Sequence, residues 1–314
     1  MMKAQQLPAL VIAATVFGLS ACQEPSISRS DDGLLFLGSH EASDVVERVI
    51  APGNRSLILD GFAGTVQLTG TDSDVARFQI TRTARGDSPD EAQSQLQNLE
   101  IEEVGDETSY RYKFAAADGA LSRFDVVGTV PAGTDLRIRW VAGDLELGGL
   151  SGDLDVQSQH GSLSYTGSGS IVHMRTRNGS VHATLSAVSE GSDVDLLTAN
   201  GDVVAALPAG ASTHLEASTS AGSIATGTIT FVSESFSSMD AGAKFEGRLG
   251  EGAGRVAMRT QHGSIDISTF VPQIKDLIAE PDSLRPETPD VPVDTIIADQ
   301  DSVIAAGVTA DSLR

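Results

Sequence analysis

The 314-residue chain has one cysteine, four lysines and few aromatic side chains, which make up 4% of it against 32 glycines. A single thiol cannot form an internal disulfide, so stability has to come from burial and backbone hydrogen bonding. The scarcity of large rings excludes an ordinary globule centred on aromatics and favours a regular architecture of small residues. The formal charge of -22 makes nucleic acid and anionic membrane surfaces poor partners. Its acidic residues are spread along the chain, as on a solvated surface; weak cation binding is the sharper alternative. No apolar run reaches the ~20 residues of a membrane-spanning helix.

The beginning of the chain is nevertheless apolar. Lys3 precedes a run from Leu7 to Leu19 that ends in small residues, the layout of a secretory signal. Leu19-Ser20-Ala21-Cys22 resembles the lipobox of the bacterial lipoprotein signal. That resemblance implies loss of residues 1–21, a lipid thioether on Cys22 and acylation of the new amino terminus. Gln23 in place of Asp then implies the outer membrane, facing either the periplasm or the outside.

Residues 22–44 have the Ser, Asp, Glu and Gly composition of a flexible tether. From Val45 short strand-like runs alternate with Gly, Pro, Asn and Asp, which predicts an N-terminal β region over 45–141. Inside it, Ser88-Pro89-Asp90-Glu91 combines a capping serine, proline at the first helical position and glutamate three residues on. This predicts a short helix over about 89–99. Beyond Phe270, five prolines among Asp, Glu and Ser predict a disordered tail over 271–314.

Residues 142–270 are periodic. Gly, a polar or small residue and then an apolar one recur at Gly143-Asp144-Leu145, Gly161-Ser162-Leu163, Gly179-Ser180-Val181, Gly201-Asp202-Val203, Gly222-Ser223-Ile224 and Gly263-Ser264-Ile265, with a degenerate copy at Gly242. Each period holds two short strands and two turns, so the expected fold is all-β. It is a parallel β-helix or solenoid-like stack of about seven two-strand coils, and 45–141 caps it. A β-sandwich shares the short strands and turn spacing, but not the repetition of whole coils.

Together with Gly64-Thr65-Val66-Gln67-Leu68, the acidic helix after Ser88 and Val130-Pro131-Ala132-Gly133-Thr134-Asp135-Leu136, these turns make the chain similar to the bacterial putative adhesin family. That family comprises exported β-solenoid domains of the cell envelope. The resemblance spans about Val45 to Phe270, implies adhesin-like binding and supplies no catalytic motif to transfer.

The residues point away from catalysis. Asp153 with Asp155, or Asp193 with Asp195, stand two apart on a strand, so each pair shares a face at about 6.5–7 Å. That is compatible with a glycosidase pair. It is equally what a solvated strand produces, and aromatic platforms for sugars are missing. His160 and His262 share a turn phase but belong to coils about five rungs apart in sequence, too far to chelate one ion. Paired-Cys or His-x-x-x-His spacings, a phosphate loop and a nucleophile elbow are absent.

No catalytic residue, cofactor or metal is therefore expected, and Asp144, Asp153 and Asp202 are read as turn caps. The expectation is a lipid-anchored, non-enzymatic envelope protein that binds another protein or a surface polymer. A role in envelope-stress signalling is the first alternative. A cell-wall polysaccharide hydrolase or lyase is the second.

Overall fold

A computed structural model describes residues 27–29, 35–116, 122–188 and 190–271, all within one unit, Met1–Pro272. Cys22, the expected signal peptide and the expected tail after Val271 lie outside the described residues. A short antiparallel pair, β1 (Ile27–Arg29) and β2 (Leu35–Leu37), precedes β3 (His40–Ile50). The stretch expected as a tether, 22–44, thus already contains β1, β2 and the first residues of β3.

The chain continues through β4 (Ser56–Asp60), β5 (Val66–Thr71), β6 (Ala76–Gly86), α1 (Pro89–Gln97), β7 (Leu99–Gly105), β8 (Ser109–Ala116) and β9 (Ser122–Pro131). It then alternates regularly through β10 (Leu136–Ala142), β11 (Leu145–Leu150), β12 (Leu154–His160), β13 (Leu163–Gly167), β14 (Ile171–Asn178) and β15 (Val181–Leu185). The last strands are β16 (Asp193–Asn200), β17 (Val203–Pro208), β18 (Thr213–Ala221), β19 (Ile224–Ala225), β20 (Ser233–Met239), β21 (Gly242–Leu249), β22 (Gly254–His262) and β23 (Ile265–Phe270).

Two sheets result. The front sheet runs β20-β21-β18-β22-β16-β14-β12-β10-β4-β8-β7, and the back sheet β19-β23-β17-β15-β13-β11-β5-β9-β6-β3. From β8 to β18 and from β9 to β19 every neighbour is parallel. Antiparallel strands occur only at the ends of these runs. Each coil gives one strand to each sheet, which makes the fold a two-sheet β-solenoid. Neither sheet breaks at the boundary expected between 141 and 142.

The corner from front to back explains the glycine repeat. Gly143, Gly161, Gly179 and Gly201 all have φ between 119° and 148°, where L side chains are strained. A Cβ there would also stand 1.9–2.2 Å from the carbonyl oxygen of the corner glycine in the adjacent coil. Position and spacing both exclude any other residue. Inward columns such as Leu136, Leu154, Val172, Val194 and Val256 are in register and buried between the sheets.

Coil order departs from chain order at both ends. The coil of β4 and β5 sits between β8/β9 and β10/β11, and that of β22 and β23 between β16/β17 and β18/β19. Gly242 begins no coil. It opens the antiparallel strand β21, where a Cβ would meet the Thr219 carbonyl at 2.1 Å.

The expected helix is present. Ser88 Oγ accepts from the Glu91 N–H at 3.2 Å, Glu91 Oε2 accepts from the Asp87 N–H at 2.9 Å, and Ala92 and Leu96 are buried. It packs on β6 and β3. It ends at Gln97, earlier than expected, because Leu99 opens β7.

Candidate binding surface

Strand alternation turns every second residue of the front sheet outward, and register stacks these residues in columns. One column runs Arg137, Asp155, His173, Asp195 and Ala257. The next runs Arg139, Gln157, Arg175, Leu197 and Arg259. With strands ~4.8 Å apart, unlike charges on neighbouring coils fall within ion-pair reach.

They meet in two groups, one about Asp155 and one running from His173 through Asp193, Arg255, Glu216, Arg259 and Asp195 to Arg175. Asp155 Oδ2 lies 2.6 Å from Arg139 and 3.6 Å from Arg137. Asp193 accepts from Arg255 at 2.9 Å and stands 3.4 Å from His173. Asp195 accepts from Arg175 at 2.9 Å and has Arg259 at 3.9 Å. Glu216 extends the chain of contacts to Arg255 and Arg259 at 3.7 and 3.9 Å. The Arg255 hydrogen bond holds the Asp193 carboxyl below the usual carboxylate range, against the opposing effect of burial.

Two open depressions lie on this face. One of about 400 Å³ is bordered by Ser56, Asp135, Arg137, Asp153, Asp155 and His173. Another of about 610 Å³ is bordered by Asp60, Arg111, Lys113, Arg139 and Gln157, with Trp140 among its lining residues. Gly61 matters to the second: a Cβ there would stand 2.1 Å from the Trp140 ring.

The residues singled out in sequence take plain roles. Asp144 Oδ1 accepts from the Ser162 N–H, and Asp202 Oδ1 from the Ser264 N–H, both at 2.7 Å, so each caps the adjacent coil's turn. Asp153 donates its own backbone N–H to Asp135 at 2.9 Å. Asp155, Asp193 and Asp195 are engaged by arginines, while Asp153 borders the same depression as Asp155. His160 bonds Asn178 at 3.1 Å, and Asn200 donates to Asn178 at 2.9 Å. Since β22 inserts beside β16, His262 continues that row three rungs from His160, about 14 Å away, not five. Among the described residues no three His, Cys, Asp or Glu side chains are placed to hold a metal, and no helix is long and apolar enough to cross a membrane.

One structural device went unread in the sequence. Thr176, Thr198, Thr260 and Thr219 point inward, and each hydroxyl donates to a corner-glycine carbonyl of the neighbouring coil, Gly161, Gly179, Gly201 and Gly263, at 2.8–3.1 Å. Trp140 does the same at the other end, its Nε1–H donating to Gly64 at 2.7 Å. The signal was available as threonine three residues before the repeat glycine.

Parallel coils, a glycine corner and an ion-paired outer face define a β-solenoid with flat, regularly spaced surfaces. No protein-family profile matches the chain, and no curated protein matches it. Among solved structures it is similar to a putative cell adhesion protein from Clostridium sporogenes, at 12% identity and TM-score 0.41, covering 73% of this chain and 100% of that one. It is also similar to a putative adhesin from Bacteroides fragilis, at 13% identity and TM-score 0.28, covering 71% and 97%. A putative adhesin from Parabacteroides distasonis gives 11% identity and TM-score 0.21, covering 72% and 97%.

Proposed function

We propose that the chain is a lipid-anchored, non-enzymatic protein of the bacterial envelope, attached through Cys22 at the outer membrane. Its solenoid binds another protein or a surface polymer along the front sheet. The observation that carries this reading is the outer face of β10, β12, β14, β16 and β22, where charged and amide side chains recur at every coil. A repeating surface suits a repeating or extended partner. Three of the four carboxylates at a catalytic spacing, Asp155, Asp193 and Asp195, are paired with arginine, which favours recognition over proton transfer.

The test pairs binding with anchoring. Purified protein labelled with a fluorophore is added to envelope preparations, and R139E/R175E is compared with the parent after circular dichroism has established that both fold. Reduced retention of the variant is expected, and equal retention overturns the front-sheet assignment. Separately, Cys22→Ala is expected to move the protein from the membrane fraction to the soluble fraction. Its staying with the membrane overturns the anchor.

A further inference from the structure

We infer that β20 is a self-association edge, and that its occupant is the β20 strand of a second copy, paired antiparallel about Phe236. This goes beyond the front-face reading, since it uses a different surface.

The two sheets have four edge strands among the described residues, and three are guarded. β7 carries Glu100, Glu102 and Glu103; β3 carries Glu41, Asp44 and Glu47; β19 has only two residues. Like charges meeting across a new pair repel, and very short edges give little to pair with. β20, Ser233-Glu234-Ser235-Phe236-Ser237-Ser238-Met239, is different. All seven residues are exposed, among the described residues it pairs only with β21, and Glu234 is its single charge. It also carries exposed apolar side chains, with Phe236 61% and Met239 55% accessible.

The front sheet extends two strands, β21 and β20, past the last parallel coil, whereas the back sheet stops at β19. Phe245 on β21 is buried and packs edge-on against Phe231 at 5.1 Å. Phe236 is the register partner of Phe245 on the same face, yet it lies uncovered. A two-fold axis through Phe236 sets that ring against its symmetry mate, a favourable cross-strand aromatic pair. The same axis sets Glu234 opposite Ser238 of the other copy, so no like charges face each other. The strand is thus complementary to itself in charge and side-chain type, and the pairing closes as an isologous dimer.

Sedimentation velocity of the full chain with Cys22→Ala, over a wide concentration range, tests this. A concentration-dependent dimer is expected. Ser238→Lys brings a lysine opposite Glu234 twice per dimer and should tighten association roughly two- to tenfold, while Ser238→Glu should loosen it by a similar factor. Phe236→Lys should abolish it, with a melting curve checking that the fold is kept. A monomer at every concentration overturns the proposal, as does a dimer indifferent to all three substitutions. A full chain that stays monomeric but dimerises once residues 273–314 are removed would make the tail the occupant, and overturns it equally.

Discussion

The two ends of the solenoid solve the same problem by opposite means. At the end built from β3 to β9, α1 lies on β6 and β3, and large rings fill the space behind the first coils. Phe78 meets Tyr112, Phe114 meets both Phe124 and Trp140, and Phe62 meets Phe124, at centroid separations of 5.2–5.6 Å. At the other end Ala217 and Ala243 line the interior, Phe231 and Phe245 form the only ring contact there among the described residues, and β20 overhangs uncovered. The sparse aromatics are therefore concentrated where the stack is closed. An end coil has neighbours on one side alone, so either bulky residues replace the missing coil or an edge stays open.

The strongest way to break the comparison is Trp140→Ala against Phe236→Ala. Trp140 is 2% exposed and supplies the donor for Gly64, so its loss should cost about 3–5 kcal/mol in urea unfolding. Phe236→Ala should stay within about 0.5 kcal/mol. Equal costs would mean that the closed end does not depend on its rings. Hydrogen exchange should further place the lost protection around β4 to β11 and spare β18 to β21.

A second contrast concerns the corner. Gly143→Ala forces a Cβ to 1.9 Å from the Gly64 carbonyl at φ 123°, between two coils of the interior. It should cost upwards of about 1–3 kcal/mol. Gly133→Ala, with open space around its Cβ, should be within about 0.5 kcal/mol of the parent in the same assay. Thr198→Val follows, at about 1–3 kcal/mol, because it strips the Gly179 carbonyl of the hydroxyl donor that the buried Thr198 supplies. A cost near zero would show that this carbonyl is satisfied without it.

The smallest expected effect lies in the β7–β8 turn. Backbone N–H groups of Thr108 and Ser109 donate to Asp106 and pull its carboxyl from 3.8 to about 2. A depressed value means the carboxylate stabilises the folded state above the unfolded pKa, and that contribution vanishes as pH falls through about 2. Asp106→Ala should therefore be less stable than the parent at neutral pH, with the two converging between about pH 4 and pH 2. A gap of constant size would remove ionisation from the explanation.

Much of the architecture was legible because the corner is a steric necessity. Only glycine fits a left-handed residue under a neighbouring carbonyl, so each coil announces itself in sequence. What could not be read is which coil lies beside which. Gln159-His160-Gly161-Ser162-Leu163 and Gln261-His262-Gly263-Ser264-Ile265 describe the same corner and are silent about neighbours. Gly64-Thr65-Val66 carries the repeat signature too, although it stands outside the periodic stretch, in the region expected to cap it. Gly242 misled because a close backbone approach selects glycine as strongly as a corner does. The residue three before it, Met239, carries no hydrogen-bond donor, whereas Trp140, Ser158, Thr176, Thr198, Thr219 and Thr260 put one at that place in the coils from Gly143 on. On the candidate surface, the Asp pairs were correctly placed on one face. The arginine partners of Asp155, Asp193 and Asp195 come from other coils and so are invisible to local spacing.

The insertion of β22 and β23 between two coils made earlier in the chain has a consequence for how the molecule is assembled and how it can evolve. The native neighbours of β16 and β17 exist only once residues near 270 have been synthesised, so the final order of coils cannot be reached by adding each new coil to the outer end. Duplicating a repeat at the C-terminal end of the sequence would not lengthen the outer end of the solenoid. It would have to wedge between coils that already pair with each other, whereas the coils from β10 to β17, stacked in chain order, carry no such constraint.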